Sequence, residues 1–342
     1  MLILGIETSC DETACAVVAD GHVIHSNIIA SQIASHSPFG GIVPELASRL
    51  HIENSVAIIR AALNEAGCSL GDLDALAVTS GPGLIGSLLV GVETAKAVAW
   101  TIGKPLVPVH HIAGHLYTPF LMGKDRKPVL EGFDYPYLGL VVSGGHSSLI
   151  YVRSPLEYEI IGRTLDDAAG EAYDKVARIL GLGYPGGPVI DRLSREGDPE
   201  FVSFPRPGKR SEDCDLSFSG LKTAVVRFLT DFRKQNGDPA EKDIRNITAS
   251  FQAAVVDTLL AKTRRALELT GAGRLAIVGG VACNSALRRG AAERLSHVAI
   301  CIPPPVLCTD NAAMIAGLAA HLLADGRIAS PTLNADAAMT LA

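Results

Sequence analysis

A set of short apolar strands broken by polar turns occurs twice in this chain, and it restricts the fold more than any other feature. Near the N-terminus the pattern is Leu2 to Glu7, a turn Thr8 to Thr13, Ala14 to Ala19, a turn at Asp20-Gly21, then Val23 to Ala30. It returns as Leu138 to Val142, a turn Ser143-Gly144-Gly145-His146-Ser147, Ser148 to Val152, and Tyr158 to Gly162. Helical periodicity follows each unit, at Pro44 to Ala66 and at Asp166 to Leu180. A repeated three-strand meander followed by helices predicts two related α/β lobes, the alternative being two unrelated meanders.

The chain is long enough for two such lobes. It has 342 residues, 48% of them hydrophobic, which suits two domains with real cores. With 19% charged residues, 34 glycines and 19 prolines it is neither disordered nor fibrous. A net charge of −6 excludes a surface that is basic throughout, so any RNA contact needs a local patch or a partner's. Arg206, Lys209, Arg210, Lys222, Arg227, Arg233 and Lys234 form one locally basic stretch, although Glu212, Asp213 and Asp215 among them also fit an ordinary solvated surface. The seven cysteines show neither paired nor C-x-x-C spacing, which favours reduced thiols in a cytoplasm. Cys10 and Cys15 read as small loop or strand residues. Leu84 to Trp100 is apolar but interrupted by Glu93 and Lys96, so it is expected as a buried helix and the protein as soluble.

Two glycine-containing segments invite opposite readings. Ala276 to Asn284 is an apolar strand ending in Gly279-Gly280, followed by a helix over Ser285 to Leu295. Glycine lets a backbone approach a nucleotide closely, and the helix N-terminus offers N–H groups to an anion. With the turns Gly5 to Ser9 and Ser143 to Ser147, this segment is expected to face one interdomain nucleotide cleft. Ser80-Gly81-Pro82-Gly83-Leu84-Ile85-Gly86 fits G-x-G-x-x-G, yet the acidic residue that would hold a ribose about 20 positions on is missing. A tight strand-to-helix turn is the better expectation there.

The stretch His110-His111-Ile112-Ala113-Gly114-His115 carries the most chemistry. On a helix, His111 and His115 share one face about 5–6 Å apart, a spacing that fits one metal ion with open coordination positions, or two packed histidines without metal. A zinc protease would place Glu beside the first His to activate water. Here that position is Ile112.

In its motifs the sequence resembles the bacterial tRNA N6-adenosine threonylcarbamoyltransferase family, TsaD, formerly called glycoprotease. The resemblance covers essentially the whole chain. It rests on Gly5-Ile6-Glu7-Thr8-Ser9-Cys10-Asp11-Glu12-Thr13, Pro44-Glu45-Leu46-Ala47-Ser48-Arg49, Gly81-Pro82-Gly83-Leu84 and the histidine stretch above. It continues through Val142 to His146, Asp166 to Lys175, Tyr184 to Pro188, Phe218 to Lys222, Gly279 to Asn284 and Cys308-Thr309-Asp310-Asn311. The resemblance implies an α/β, actin-like ATPase (ASKHA) fold of two RNase H-like lobes around a nucleotide cleft. One lobe would be 1–136 with about 309–342, its metal-binding helical segment at about 110–136, and the other 137–308.

The implied reaction moves threonylcarbamoyl from threonylcarbamoyl-adenylate to N6 of adenosine 37 in tRNAs reading codons that begin with A, releasing AMP. By the family pattern His111, His115 and Asp310 bind a divalent metal, Fe2+ first, with Zn2+ or Mg2+ as alternatives. Val141, Val142, Ser143, Gly144, Gly145, Asp174, Gly187, Asp191 and Asn284 line the adenylate site. Implied partners are tRNA, a smaller ASKHA paralogue (TsaB) and a P-loop ATPase (TsaE), in the cytoplasm and without a membrane. The adenylate is already activated, so the enzyme must orient it, polarise its carbonyl and stabilise the leaving group. Asp11 and Glu12 are the candidates for taking the amine proton, with a solvated turn as the alternative, and His146 fits a supporting or a packed role. Three other readings compete: a metalloprotease, a noncatalytic scaffold of the same fold, and a sugar or acetate kinase.

Overall fold

The computed structural model describes residues 1–208 and 212–341, and two compact units emerge from it. Unit 1 comprises Met1–Phe133, Arg153–Tyr158 and Pro303–Ala342, and unit 2 comprises Asp134–Val152 and Glu159–Ile302. The segment Arg153–Tyr158, expected in the second lobe, belongs to unit 1 because Leu156 and Tyr158 pack against a core there. Likewise the return to unit 1 begins at Pro303 rather than about 309.

Unit 1 is built on β1 (Leu2–Glu7), β2 (Glu12–Ala19), β3 (Val23–Ser31), β4 (Ala75–Gly81) and β5 (Leu106–His110), in the order β3-β2-β1-β4-β5. The first three strands pair antiparallel, while β1–β4 and β4–β5 are parallel. Unit 2 repeats the plan with β6 (Tyr137–Val142), β7 (Ser147–Ser154), β8 (Glu157–Arg163), β9 (Arg274–Val278) and β10 (Ala299–Cys301), in the order β10-β9-β6-β7-β8. Both sheets therefore have the same topology, in line with the repeat read from the strand pattern.

The central strands read as continuous apolar runs because both faces of each are covered. In β1, Leu4 and Ile6 join Val17, Leu76 and Val78 under the helices Pro44–Ala66 and Ile85–Ile102. On the other face Ile3 joins Ala14, Ala16 and Ala77 under the helix Ala312–Ala324. That helix lies unusually close: a Cβ on Gly5 would stand 2.5 Å from the Ala312 carbonyl and 2.9 Å from the Ala316 nitrogen.

Two expectations need correction. The helical segment expected over about 110–136 is a helix only at His111–Tyr117, extended by a 3-10 turn Thr118–Phe120. Pro119, Gly123, Pro128, Gly132 and Pro136 interrupt any longer helix. The helix Ile85–Ile102 is also not simply buried. Leu88, Val92, Ala95 and Ala99 face the core, whereas Ile85, Leu89 and Trp100 are exposed, and Lys96 pairs with Glu93 at 2.8 Å. By length and composition alone it is the one helix among the described residues long and apolar enough to cross a membrane.

The contact between β1 and the last helix generates a stability prediction. Gly5→Ala should lower unfolding stability by about 1–3 kcal/mol through overpacking against helix backbone, measured by denaturant unfolding. An unchanged unfolding midpoint would show that the helix can withdraw at no cost.

Candidate metal centre and nucleotide site

β5 ends at His110, whose Nδ1 accepts the Ile112 N–H at 3.1 Å and so caps the helix His111–Tyr117. All seven residues of that helix are buried. His111 and His115 lie one turn apart with their rings edge to face, centroids 4.7 Å apart. Asp310 arrives from the far end of the chain. It precedes Asn311, whose side chain caps the helix Ala312–Ala324 by accepting the Met314 N–H at 3.1 Å. Asp310 Oδ1 lies 3.1 Å from His115 Nε2 and 3.7 Å from His111 Nε2. One ligand atom from each of the three side chains falls within 4.8 Å of the others, as one shared ion requires.

A residue missed by the sequence reading completes this arrangement. Glu7, fully buried at the end of β1, places Oε2 3.1 Å from His111 Nδ1. Its carboxylate also accepts the Thr79 hydroxyl at 2.6 Å and the Ser9 N–H at 2.5 Å, and Ser9 Oγ lies 3.1 Å from the same His111 nitrogen. A carboxylate on the far nitrogen orients an imidazole and raises its basicity as a ligand. The available signal was a lone acid closing an apolar strand.

The electrostatics favour a cation here. Burial opposes charge on His111, but the Asp310 and Glu7 carboxylates outweigh it and carry its pKa up to about 9. Burial would raise Glu7 as well, yet His111 beside it holds it below the usual carboxylate range. Asp11 is pushed up by burial and by Asp310. Glu12 is pushed up to about 7, chiefly by burial, which outweighs the favourable Ser31 hydroxyl at 2.8 Å. Its Oε2 is buried with no hydrogen-bond partner among the described residues. Once His111 gives up its Nε2 proton, that nitrogen, His115 and Asp310 could share a divalent ion, and two His with one carboxylate is a donor set suited to iron(II) or zinc.

Unit 2 gathers the second group of predicted residues. After Val142 the turn closes through the Ser143 N–H to the His146 carbonyl at 2.8 Å and the His146 N–H to Ser143 Oγ at 3.1 Å. Gly144 and Gly145 are exposed there, and a Cβ on either would meet no atom of the described residues within 4 Å. The helix Ala169–Ile179 starts against this turn, its Gly170 N–H donating to the Ser143 carbonyl at 3.1 Å. Asp174 on that helix accepts the Gly186 N–H at 2.7 Å, where the helix Gly186–Ser194 begins with Gly187 and Asp191.

Asp191 Oδ1 accepts from Ser285 Oγ at 2.8 Å and from Gln252 Nε2 at 3.2 Å. Asn284 caps the helix Ser285–Arg294, its Oδ1 accepting two N–H groups at 3.0 Å, while its Nδ2 donates to Gln252 Oε1 at 2.7 Å and to the Tyr173 hydroxyl at 3.3 Å. Every hydrogen-bonding position of that amide is engaged within the protein. Gln252 and Tyr173 therefore order this group, and nothing local in the sequence marks a buried Gln in mid-helix as special.

Other motif residues brace one another. Asp166 accepts from Ser217 Oγ, Ser219 Oγ and the Phe218 N–H, and Asp167 pairs with Lys175 at 2.8 Å and Lys222 at 3.3 Å. In the basic stretch, Arg206 pairs with Asp257, Arg233 with Asp238 and Lys234 with Asp231, which favours the solvated-surface reading. Lys209 and Arg210 lie outside the described residues. The Gly81–Gly83 segment is a tight turn whose Leu84 N–H holds the Ser9 carbonyl at 2.8 Å.

A family model described as TsaD, tRNA N6-adenosine threonylcarbamoyltransferase, matches residues 23–317. A protein of that name from Geotalea uraniireducens is 51% identical over 321 residues, covering 92% of this chain and 90% of the relative. Another from Syntrophus aciditrophicus is 48% identical over 338 residues, covering 98% and 96%. Among solved structures, nucleotide-bound full-length HypF superposes with a TM-score of 0.60 at 15% identity, covering 96% of this chain and 56% of that one. The activator of 2-hydroxyisocaproyl-CoA dehydratase from Clostridium difficile does so with 0.53 at 14% identity, covering 96% and 97%. These likenesses show the actin-like ATPase fold.

The site geometry predicts how metal should bind. His115→Ala should remove nearly all bound metal from folded protein, as measured by elemental analysis, and full occupancy in that variant would eliminate the site. Because His111 carries a proton below about pH 9, an incoming ion must displace it. Apparent affinity should therefore rise about tenfold per pH unit from about pH 7 and level off near about 9. A flat profile would mean that the ion displaces no proton from His111.

Proposed function

Because this chain belongs to the TsaD family of tRNA N6-adenosine threonylcarbamoyltransferases, we propose that it transfers threonylcarbamoyl from threonylcarbamoyl-adenylate to N6 of adenosine 37 in tRNAs reading codons that begin with A, releasing AMP. The observation that carries this reading is the family match over 23–317, joined by the convergence of His111 and His115 with Asp310, 195 positions beyond His115. These three would hold one divalent ion, Fe2+ in the first instance, which supplies a Lewis acid for the carbamoyl group.

The chain's own residues do the rest. On unit 2, the Gly144 and Gly145 N–H groups of the Ser143–His146 turn face the adenylate phosphate, and the dipole of the helix Gly186–Ser194 favours its charge. Attack by N6 on the carbamoyl carbon forms the C–N bond as the C–O bond to phosphate breaks, and AMP carries the electron pair away. The amine proton passes to a carboxylate on the Ser9–Glu12 turn. Glu12, with a pKa of about 7, is suited to accept it near neutral pH. Asp11, also raised, is the other candidate.

A protease reading is less well supported. Ile112 occupies the place of a water-activating Glu, and Glu7, the acid nearest His111, is committed to Thr79, Ser9 and His111 itself. A smaller protein of the same fold and a P-loop ATPase are the proposed partners, acting with tRNA in the cytoplasm.

Two experiments bear on this reading. The protein with those partners, threonylcarbamoyl-adenylate and unmodified tRNA should yield threonylcarbamoyladenosine and AMP, and Glu12→Gln or Asp11→Asn should slow transfer by about 10²–10⁴-fold while leaving adenylate affinity nearly intact. No modified nucleoside, together with metal-dependent cleavage of a glycoprotein, would overturn the proposal. In calorimetry, Asp174→Ala should weaken AMP binding by about 1–3 kcal/mol. Unchanged affinity would move the nucleotide elsewhere.

A further inference from the structure

The Pro44-Glu45-Leu46-Ala47-Ser48-Arg49 motif has no part in the chemistry above, yet the helix it begins carries a fully buried histidine, His51, next to the turn that holds Asp11 and Glu12. His51 Nε2 lies 2.9 Å from the Cys10 carbonyl. A carbonyl only accepts, so Nε2 carries the proton and Nδ1 is an acceptor. Nδ1 in turn faces the Thr13 hydroxyl at 2.8 Å and Gln32 Nε2 at 3.3 Å, two donors that suit this tautomer. Burial holds His51 below its ordinary pKa, consistent with the neutral ring.

The polarity continues outward. Gln32 Oε1 faces His36 Nε2 at 3.1 Å, and His36 Nδ1 accepts the Val43 N–H at 3.3 Å. The donors thus run in one direction, from Val43 through His36, Gln32 and His51 to the Cys10 carbonyl, with every side chain in the relay buried. Such a chain fixes two tautomers and one amide orientation at once.

The turn is gripped at three consecutive carbonyls by three separate elements. The Ser9 carbonyl takes the Leu84 N–H at 2.8 Å, the Cys10 carbonyl takes His51, and the Asp11 carbonyl takes the Gln32 N–H at 3.0 Å. Two of these donors are backbone. The middle one is a side chain that depends on the whole relay.

We infer that His51 is a positioning residue for the transfer reaction, holding the Cys10 carbonyl so that the Asp11 and Glu12 carboxylates keep their working geometry. This rests on the reading that those carboxylates take the amine proton. His51 touches no reacting atom; its effect passes through the turn. Loss of its N–H frees the middle of the turn, and a displacement on the order of 1 Å at a catalytic group is enough to cost about 10²-fold in rate.

The test is a mutant cycle on the complete transfer reaction, run with the partner proteins, threonylcarbamoyl-adenylate and unmodified tRNA. His51→Ala should lower kcat at least about tenfold, with KM for the adenylate within about twofold and bound metal unchanged. His51→Gln, whose amide N–H can reach the Cys10 carbonyl, should recover most of that loss. In an Asp11→Asn, Glu12→Gln background, His51→Ala should cost nothing further, because the groups it positions are already gone. Should His51→Ala not fold, Thr13→Val, which removes the hydroxyl donor to Nδ1, is measured in the same cycle with the same expectations.

Wild-type kcat in a folded His51→Ala enzyme overturns the inference. So does an equal fold-loss in both backgrounds. In either case a slow Asp11→Asn, Glu12→Gln enzyme leaves the proton-acceptor reading standing. Wild-type turnover in that carboxylate variant removes the reading and the inference together.

Discussion

The candidate metal centre depends on how closely the helix Ala312–Ala324 lies against β1. Four of its groups come from positions 7, 111, 115 and 310, so no local segment can assemble it. The absence of a side chain at Gly5 and the small residues Ala312 and Ala316 let the helix backbone come to contact distance with the strand. Asp310 and the capping Asn311 at the head of that helix are then delivered to the helix carrying His111 and His115. The order of the sheet does the remaining work, because β4, which carries Thr79, lies between β1 and β5. Thr79 anchors Glu7 there, and Glu7 anchors His111.

This concentration of carboxylates in a buried place has a consequence for chemistry. Glu7 and Asp310 stabilise positive charge at His111, while Asp11 and Glu12 are pushed up, Glu12 into the range where a group exchanges protons at neutral pH. One neighbourhood therefore offers both a seat for a cation and a weak base. A transferase acting on an already activated acyl donor needs little more than these and an anion cradle, since no covalent intermediate has to be made. The protein commits its buried polar groups elsewhere to rigidity: Asn284 is saturated by Gln252, Tyr173 and its own helix, and His51 by Cys10 and Thr13.

Periodicity and turn residues made much of this legible in the sequence. The meander pattern anticipated two sheets of equal topology, and the helix Pro44–Ala66 begins and ends where its periodicity does. The spacing of His111 and His115 anticipated one shared helical face. What was not legible is long-range. Glu7 looks like any strand-end acid until β4 brings Thr79 beside it, and Gln252 is one polar residue in a 30-residue helix. The helix at His111 is short because of proline and glycine beyond it, which the motif alone conceals. The exposed face of Ile85–Ile102 escaped notice because Ile85, Leu89 and Trp100 lie on it beside a single charged residue, Glu93. The basic stretch was ambiguous by composition, and its ion pairs with Asp167, Asp231, Asp238 and Asp257 are tertiary facts.

The most direct test of the account is nucleoside mass spectrometry of bulk tRNA from cells depleted of this protein and complemented with its variants. Depletion should abolish threonylcarbamoyladenosine, and the wild-type chain should restore it while a folded His115→Ala chain does not. Undiminished threonylcarbamoyladenosine after depletion, or full restoration by His115→Ala, would contradict the account.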